Sequence, residues 1–136
     1  MKDTTPPDRR ARRLPLVYSC SGCSSAAQLA NHVAVRLDRE GLAEMSCVAG
    51  LGGDVPSLVR KAAEGVASGR AVLAIDGCVL HCVRQTLARH GIAPTHHLEL
   101  WRLGIRKRQH EDFSADEAAE ALAHGRRAVA ALRPAP

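Results

Sequence analysis

Aromatic side chains are almost missing: Tyr18, Trp101 and Phe113 are the whole set in 136 residues. A core must then be filled by Ala, Val and Leu, which suits helices packed closely on a Val/Leu/Ile sheet. Long apolar runs are missing too. Nothing approaches the roughly 18 to 20 apolar residues that a helical membrane span requires, so no membrane span is expected. No apolar stretch follows the charged opening MKDTTPPDRRARR, which therefore does not read as a secretory signal. A reducing cytoplasm is the expected compartment. Neither a Ser/His/Asp set nor a phosphate-binding loop is visible, since the glycines at 50, 52 and 53 lack the Lys that such a loop supplies next.

What is present is an ordinary hydrophobic fraction, 46%, in a chain of one-domain length, so a core can form without disulfide staples. The formal net charge of +5 suggests a nucleic-acid ligand at first sight. Its distribution argues otherwise. Residues 1–13 carry five basic and two acidic groups and so hold +3 of the total, leaving the rest nearly balanced. A second basic group, Arg102, Arg106, Lys107 and Arg108, reads as a solvated loop, and nucleic-acid binding is not the expected role.

Along the chain, residues 1–13 read as a disordered basic tail and 14–133 as a single α/β domain. LPLVYSC gives a buried first strand, and AAQLANHVAVRLDREG a helix that Gly41 stops. A second strand ends near Cys47 and runs into a glycine-rich loop. DVPSLVRKAAEGVASG gives a second helix, with Asp54 as cap and Pro56 in its first turn. Ala71 to Ile75 is continuously apolar, as expected of a central parallel strand covered on both faces. CVLHCVRQTLARHG reads as a third helix, HHLELWRLG as a fourth strand, and SADEAAEALAHGRRAVAAL as a last helix opened by a Ser114/Glu117 capping box. Alternation of this kind specifies a small Rossmann-like three-layer domain: a four-stranded, mainly parallel sheet with helices on both faces, most economically in strand order 2-1-3-4.

Five cysteines are an odd number for a disulfide framework, and in a reducing compartment cysteines are more often metal-binding or reactive. In the expected fold they all fall at the carboxyl edge of the sheet, where open α/β folds bind ligands. Cys20 and Cys23 lie where the first strand turns into its helix, Cys47 ends the second strand, Cys78 ends the third, and Cys82 follows one helical turn later. The C-x-x-C of Cys20 and Cys23 lets one turn aim two thiolates at an ion, with Gly22 easing the backbone. Cys78 and Cys82, spaced i, i+4, would share a helix face. Helix N-termini after Cys20 and Cys78 would favour thiolate. Four thiolates select zinc first and an iron–sulfur cluster second. Cys47 stands apart, as a fifth or exchanging ligand, a reactive thiol or a core residue.

The other polar candidates read more plainly. His81 turns away from both helical cysteines and is expected to support the site or to be exposed. His96 and His97 open the fourth strand, at the edge away from the cysteines, and with His32, His90, His110 and His124 read as solvated. Asp76 reads first as a turn residue whose carboxylate caps the next helix, and second as an acceptor that orients a ligand or serves as a general base.

Three segments carry a family resemblance. CSGCSSAAQLAN, MSCVAGLGG and IDGCVLHC, in that order along the chain, resemble the motifs of the DGC domain family, from about Val17 to Gly104. That family is described as zinc-binding on the strength of its cysteines, with no reaction assigned. The resemblance implies a metal site at Cys20, Cys23, Cys78 and Cys82, with Cys47 as the matching middle cysteine. The Arg-rich opening and the Ala-rich last helix depart from it.

The expected function is a zinc-binding module that serves metal handling or thiol/redox sensing, with a metal ion as ligand and no protein partner assigned. The alternative is an iron–sulfur or thiol-based redox enzyme using the same cysteines. A thiolate phosphatase or arsenate reductase is excluded, because the arginine needed six residues beyond the cysteine is replaced by Ala26 or Leu29.

Overall fold

Four strands pair side by side, all in parallel, in the order β2-β1-β3-β4. The computed structural model describes residues 14–132; the expected tail over 1–13 and residue 133 lie outside them. In chain order the elements are β1 (Leu16–Ser19), α1 (Ser25–Arg39), β2 (Glu44–Met45), α2 (Val48–Gly52), α3 (Pro56–Ala67), β3 (Val72–Asp76), α4 (Cys82–Arg89), β4 (His96–Glu99), a 3-10 turn (Leu100–Leu103) and α5 (Ala115–Leu132).

The order follows from the connections. β1 pairs with β2 through Leu16↔Glu44 and with β3 through Leu16↔Val72 to Ser19↔Ile75. β3 pairs with β4 through Leu73↔His96 to Asp76↔Glu99. The chain steps one way from β1 to β2 and the other way from β2 to β3. With right-handed crossovers, α1 therefore covers one face of the sheet and α3 the other. Every residue of β1 and β3 is buried, as a strand covered on both faces must be.

Small residues set the helix spacing on each face. A Cβ on Gly125 of α5 would stand 2.7 Å from Val33 Cγ1 of α1, so the two helices touch through that glycine. On the other side, a Cβ on Gly65 of α3 would stand 3.0 Å from Leu16 Cδ1 of β1. Leu16, Val17, Leu29, Val33, Leu37, Leu73 and Ile75 are all 0% exposed and form the centre of the core. Burying each such side chain is worth about 1.5–3 kcal/mol.

Caps fix the ends. Ser24 caps α1 by accepting from Ala27 N at 3.1 Å, and Gly41 ends it with φ +72°. The Ser114/Glu117 box is closed in both directions, at 2.8 and 3.1 Å. Five local expectations are corrected. β2 is only two residues long, and the glycine-rich segment after Cys47 is largely helical, as α2. Val55, not Asp54, caps α3, with Pro56 at its first turn; Asp54 takes a positive φ and pairs with Arg89. The fourth strand stops at Glu99, because Leu100–Leu103 curl into the 3-10 turn that Gly104 ends with φ +82°. The third helix begins at Cys82 instead of Cys78, because His81 sits in the left-handed region (φ 55°, ψ 45°) and breaks the run.

Candidate metal centre

β1 and β3 deliver their carboxyl ends side by side, and a pocket of about 180 Å³ opens there. Cys20, Cys23, Cys78 and Cys82 all line it, with Ser21, Gly22, Asp76, Lys107 and Gln109 among their neighbours. Three segments converge on it: the β1–α1 turn, the β3–α4 loop and the segment after Ile105.

Cys20 is the anchored member. Its amide continues the sheet ladder by donating to Ile75 O at 3.0 Å, and the residue is 8% exposed. The Cys20 thiol is pushed up to about 12, mainly by burial and further by Asp76, Cys78 and Cys82, against a hydrogen bond from the Gly77 amide that favours thiolate. Gly77 N donates to Cys20 Sγ at 3.2 Å. That contact depends on a close backbone approach. A Cβ on Gly77 would stand 2.4 Å from Ala26 O and 2.5 Å from Ala26 C, so no side chain fits there. The glycine lets the first turn of α1 and the end of β3 come together, and so brings the two cysteine segments to one pocket.

Cys78 is half-buried, and Cys23 and Cys82 are exposed. Lys107 Nζ approaches Cys78 Sγ at 3.6 Å, and Cys23 Sγ lies 3.6 Å from Gln109 Oε1. The segment carrying these two residues is tied to α1 by paired bonds, Ser25 N to Arg108 O at 2.9 Å and Arg108 N to Ser25 Oγ at 2.9 Å. Arg108 itself spans to Glu117 and Glu111. The basic cluster is thus not a solvated loop throughout: Lys107 turns toward the thiols. Cys78 lies on the loop before α4, not on the helix, so the expected shared helix face with Cys82 does not form. The partial positive charge of the α4 N-terminus falls at Cys82. Cys47 caps α2, is exposed, and lies outside the pocket lining.

Asp76 is 1% exposed and serves two neighbours at once. Its Oδ1 accepts from Val83 N at 2.9 Å and its Oδ2 from Arg84 N at 3.2 Å, so it caps α4 from the end of β3. Its Oδ2 also lies 2.7 Å from His97 Nε2. His97 is therefore not at the edge away from the cysteines. β4 is so short that its second residue reaches the carboxyl edge by its side chain alone. His96 is exposed, as expected.

Among the described residues, one group of His, Cys, Asp or Glu side chains has three ligand atoms within 4.8 Å of one another: His81, His97 and Glu99. No three of the cysteine sulfurs are gathered that closely. The donor chemistry nonetheless fits a soft ion: four sulfurs surround one pocket, with an amide N–H and an ammonium group aimed at two of them, and such groups favour thiolate. Sequence patterning missed His97, Glu99 and Lys107. For the first two a signal existed, because positions 97 and 99 on a strand share one face.

A family model described as the DGC domain matches residues 16–124. The "Anaerobic and virulence modulator AnvM" of Pseudomonas aeruginosa is 62% identical over 105 residues, which cover 77% of each chain. No solved structure matches.

Proposed function

The chain belongs to the DGC domain family, and from that premise we propose that it is a thiolate metal-binding protein whose ion is zinc. The observation that carries this reading is the convergence of Cys20, Cys23, Cys78 and Cys82 on one pocket at the carboxyl edge of the sheet. These four would hold the ion; a zinc–thiolate centre supplies structure, storage or a thiol-responsive switch. The chain's own groups prepare the site. The Gly77 amide steadies the Cys20 sulfur, Lys107 offsets charge at Cys78, and the α4 N-terminus does so at Cys82. Cys47, exposed at the same edge, is the thiol available for exchange or oxidation. A core of this extent does not need an ion to fold, which favours sensing or metal handling over a structural knot.

The AnvM relative is named as a modulator of anaerobic and virulence functions. That name supports a role in which metal and thiol state inform a regulatory output, and it favours one second reading, an iron–sulfur cluster on the same sulfurs. Metal content by mass spectrometry separates them, on untagged protein purified anaerobically without chelator, in wild type and Cys78→Ser. About one zinc per chain, lost in the variant, supports the first reading, and iron with sulfide and visible colour the second. Folded wild type without either metal sinks both.

A further inference from the structure

A second cluster lies across Asp76 from the thiol pocket. His81 Nε2 is 2.7 Å from Glu99 Oε1, yet it is buried and makes no aligned hydrogen bond. His97 Nδ1 faces the same oxygen at 3.6 Å. These separations bracket the ~3.0–3.4 Å expected between adjacent donors around an ion with ~2.1 Å bonds. His97 is already oriented for ligation by Nδ1, because its other ring nitrogen is engaged at 2.7 Å by the buried Asp76 carboxylate. A carboxylate behind the ligating imidazole is the usual partner of a metal-bound histidine. Glu99 is fixed as well, since Arg102 Nε holds its Oε2 at 2.5 Å. Trp101 packs beside the His81 ring, 6.4 Å between centroids.

The backbone bears a cost to present His81. A non-glycine residue in the left-handed region is disfavoured, yet His81 adopts φ 55° and its ring points at Glu99 and His97 instead of solvent. A buried nitrogen without a hydrogen bond, on a strained backbone, beside a second imidazole and a carboxylate, has the character of a metal ligand.

We propose that His81, His97 and Glu99 form a second metal site, distinct from the thiol pocket, for a borderline divalent transition cation such as zinc or ferrous iron. Two imidazoles and one carboxylate are the donors such ions take while keeping positions open for water or substrate. Asp76 is its positioning residue, and it lines the thiol pocket on its other side.

The test is anaerobic titration of the full chain with cobalt(II), read by absorbance. Cobalt on thiolates gives strong near-ultraviolet charge-transfer bands, whereas cobalt on nitrogen and oxygen gives only weak visible bands. Wild type is expected to take up cobalt of the second kind, whatever the thiol pocket binds. His81→Asn suits the left-handed backbone but is too short to reach Glu99. It should weaken that uptake at least about tenfold, the scale on which even indirect partners of a metal act, and leave any thiolate bands unchanged. Cys78→Ser should do the reverse. Absence of the weak-band cobalt in wild type overturns the proposal, as does uptake within about twofold of wild type in both His81→Asn and Glu99→Gln. If neither variant keeps its native circular dichroism, the imidazole ¹⁵N resonances of wild type under Zn²⁺ decide: shifts at His81 and His97 support the site, and unmoved rings overturn it.

Discussion

His97 Nε2 meets Asp76 Oδ2 at 2.7 Å, across the β3–β4 pairing, while the other oxygen of the same carboxylate caps α4. One buried group thus sets both the start of a helix and the orientation of an imidazole. Asp76→Asn removes the charge and turns an amide donor toward either backbone N–H groups or a ring nitrogen. It is expected to cost about 1–3 kcal/mol, read as a lower urea midpoint at unchanged slope. An unchanged midpoint would show that the carboxylate is not bearing the cap.

Gly77 tests the close approach that makes the pocket. A Cβ there meets the Ala26 carbonyl, which is backbone and cannot turn aside. Gly77→Ala is expected to destabilise by about 2 kcal/mol or more and to abolish metal retention. Gly52→Ala is the control: nothing lies within 4 Å of its Cβ position, inside helix α2, so it should be neutral or stabilise by up to about 1 kcal/mol. Chemical unfolding of the two variants side by side reads the contrast.

How far the sequence discloses this arrangement depends on the kind of signal. Ala71 to Ile75 declares a central strand by its unbroken apolar run, and the alternation of elements specifies a parallel sheet, for which 2-1-3-4 is only the most economical order. In that order Cys20 and Cys78 follow the carboxyl ends of two adjacent strands. What stays hidden depends on backbone conformation and loop reach. Nothing in VLHC marks the left-handed turn at His81, which delays the start of the helix by one turn and takes Cys78 off it. Lys107 and Gln109 reach the pocket only because the Arg108 backbone bonds to Ser25, a contact across 83 positions. The pairing of Glu99 with Asp76 depends on strand register, which periodicity does not supply. Asp76 fits the capping reading given to it, and its contact with His97 is one that periodicity does not disclose.

Thiol labelling separates the cysteines by environment. In metal-free protein, Cys20 is buried and burial holds its thiol up at about 12, so it remains protonated at neutral pH and should alkylate last, at least about tenfold more slowly than exposed Cys23, Cys47 or Cys82. In zinc-loaded protein, Cys47 should be the cysteine that still labels at its metal-free rate. Mass spectrometry of iodoacetamide-treated protein reads each site. Protection of Cys47 by zinc would make it a ligand instead.

A surface pair gives a pH-dependent check on α5. Glu117 is held down to about 2, first by its hydrogen bond to Arg108 and then by the Ser114 amide. Its folded value lies below its unfolded one, so its contribution is present above about pH 4.5 and is lost as pH falls toward about 2. Solvent screening limits that contribution to about 1 kcal/mol. Glu117→Gln should therefore lower stability by about that amount at pH 7, and the two unfolding curves should converge as the solution is acidified through that window. A constant gap down to low pH would assign the effect to the capping hydrogen bond.

The amide of Gly77 donates to a sulfur and takes no part in the sheet ladder, which makes it a reporter. Backbone hydrogens exchange with solvent at a rate set by what accepts them, and this one is accepted by the atom whose chemistry is in question. A thiol is a weak acceptor and a thiolate, free or ligating, a stronger one. The deuterium uptake of a single glycine, resolved by nuclear magnetic resonance, therefore follows the state of Cys20 without any label on the cysteine.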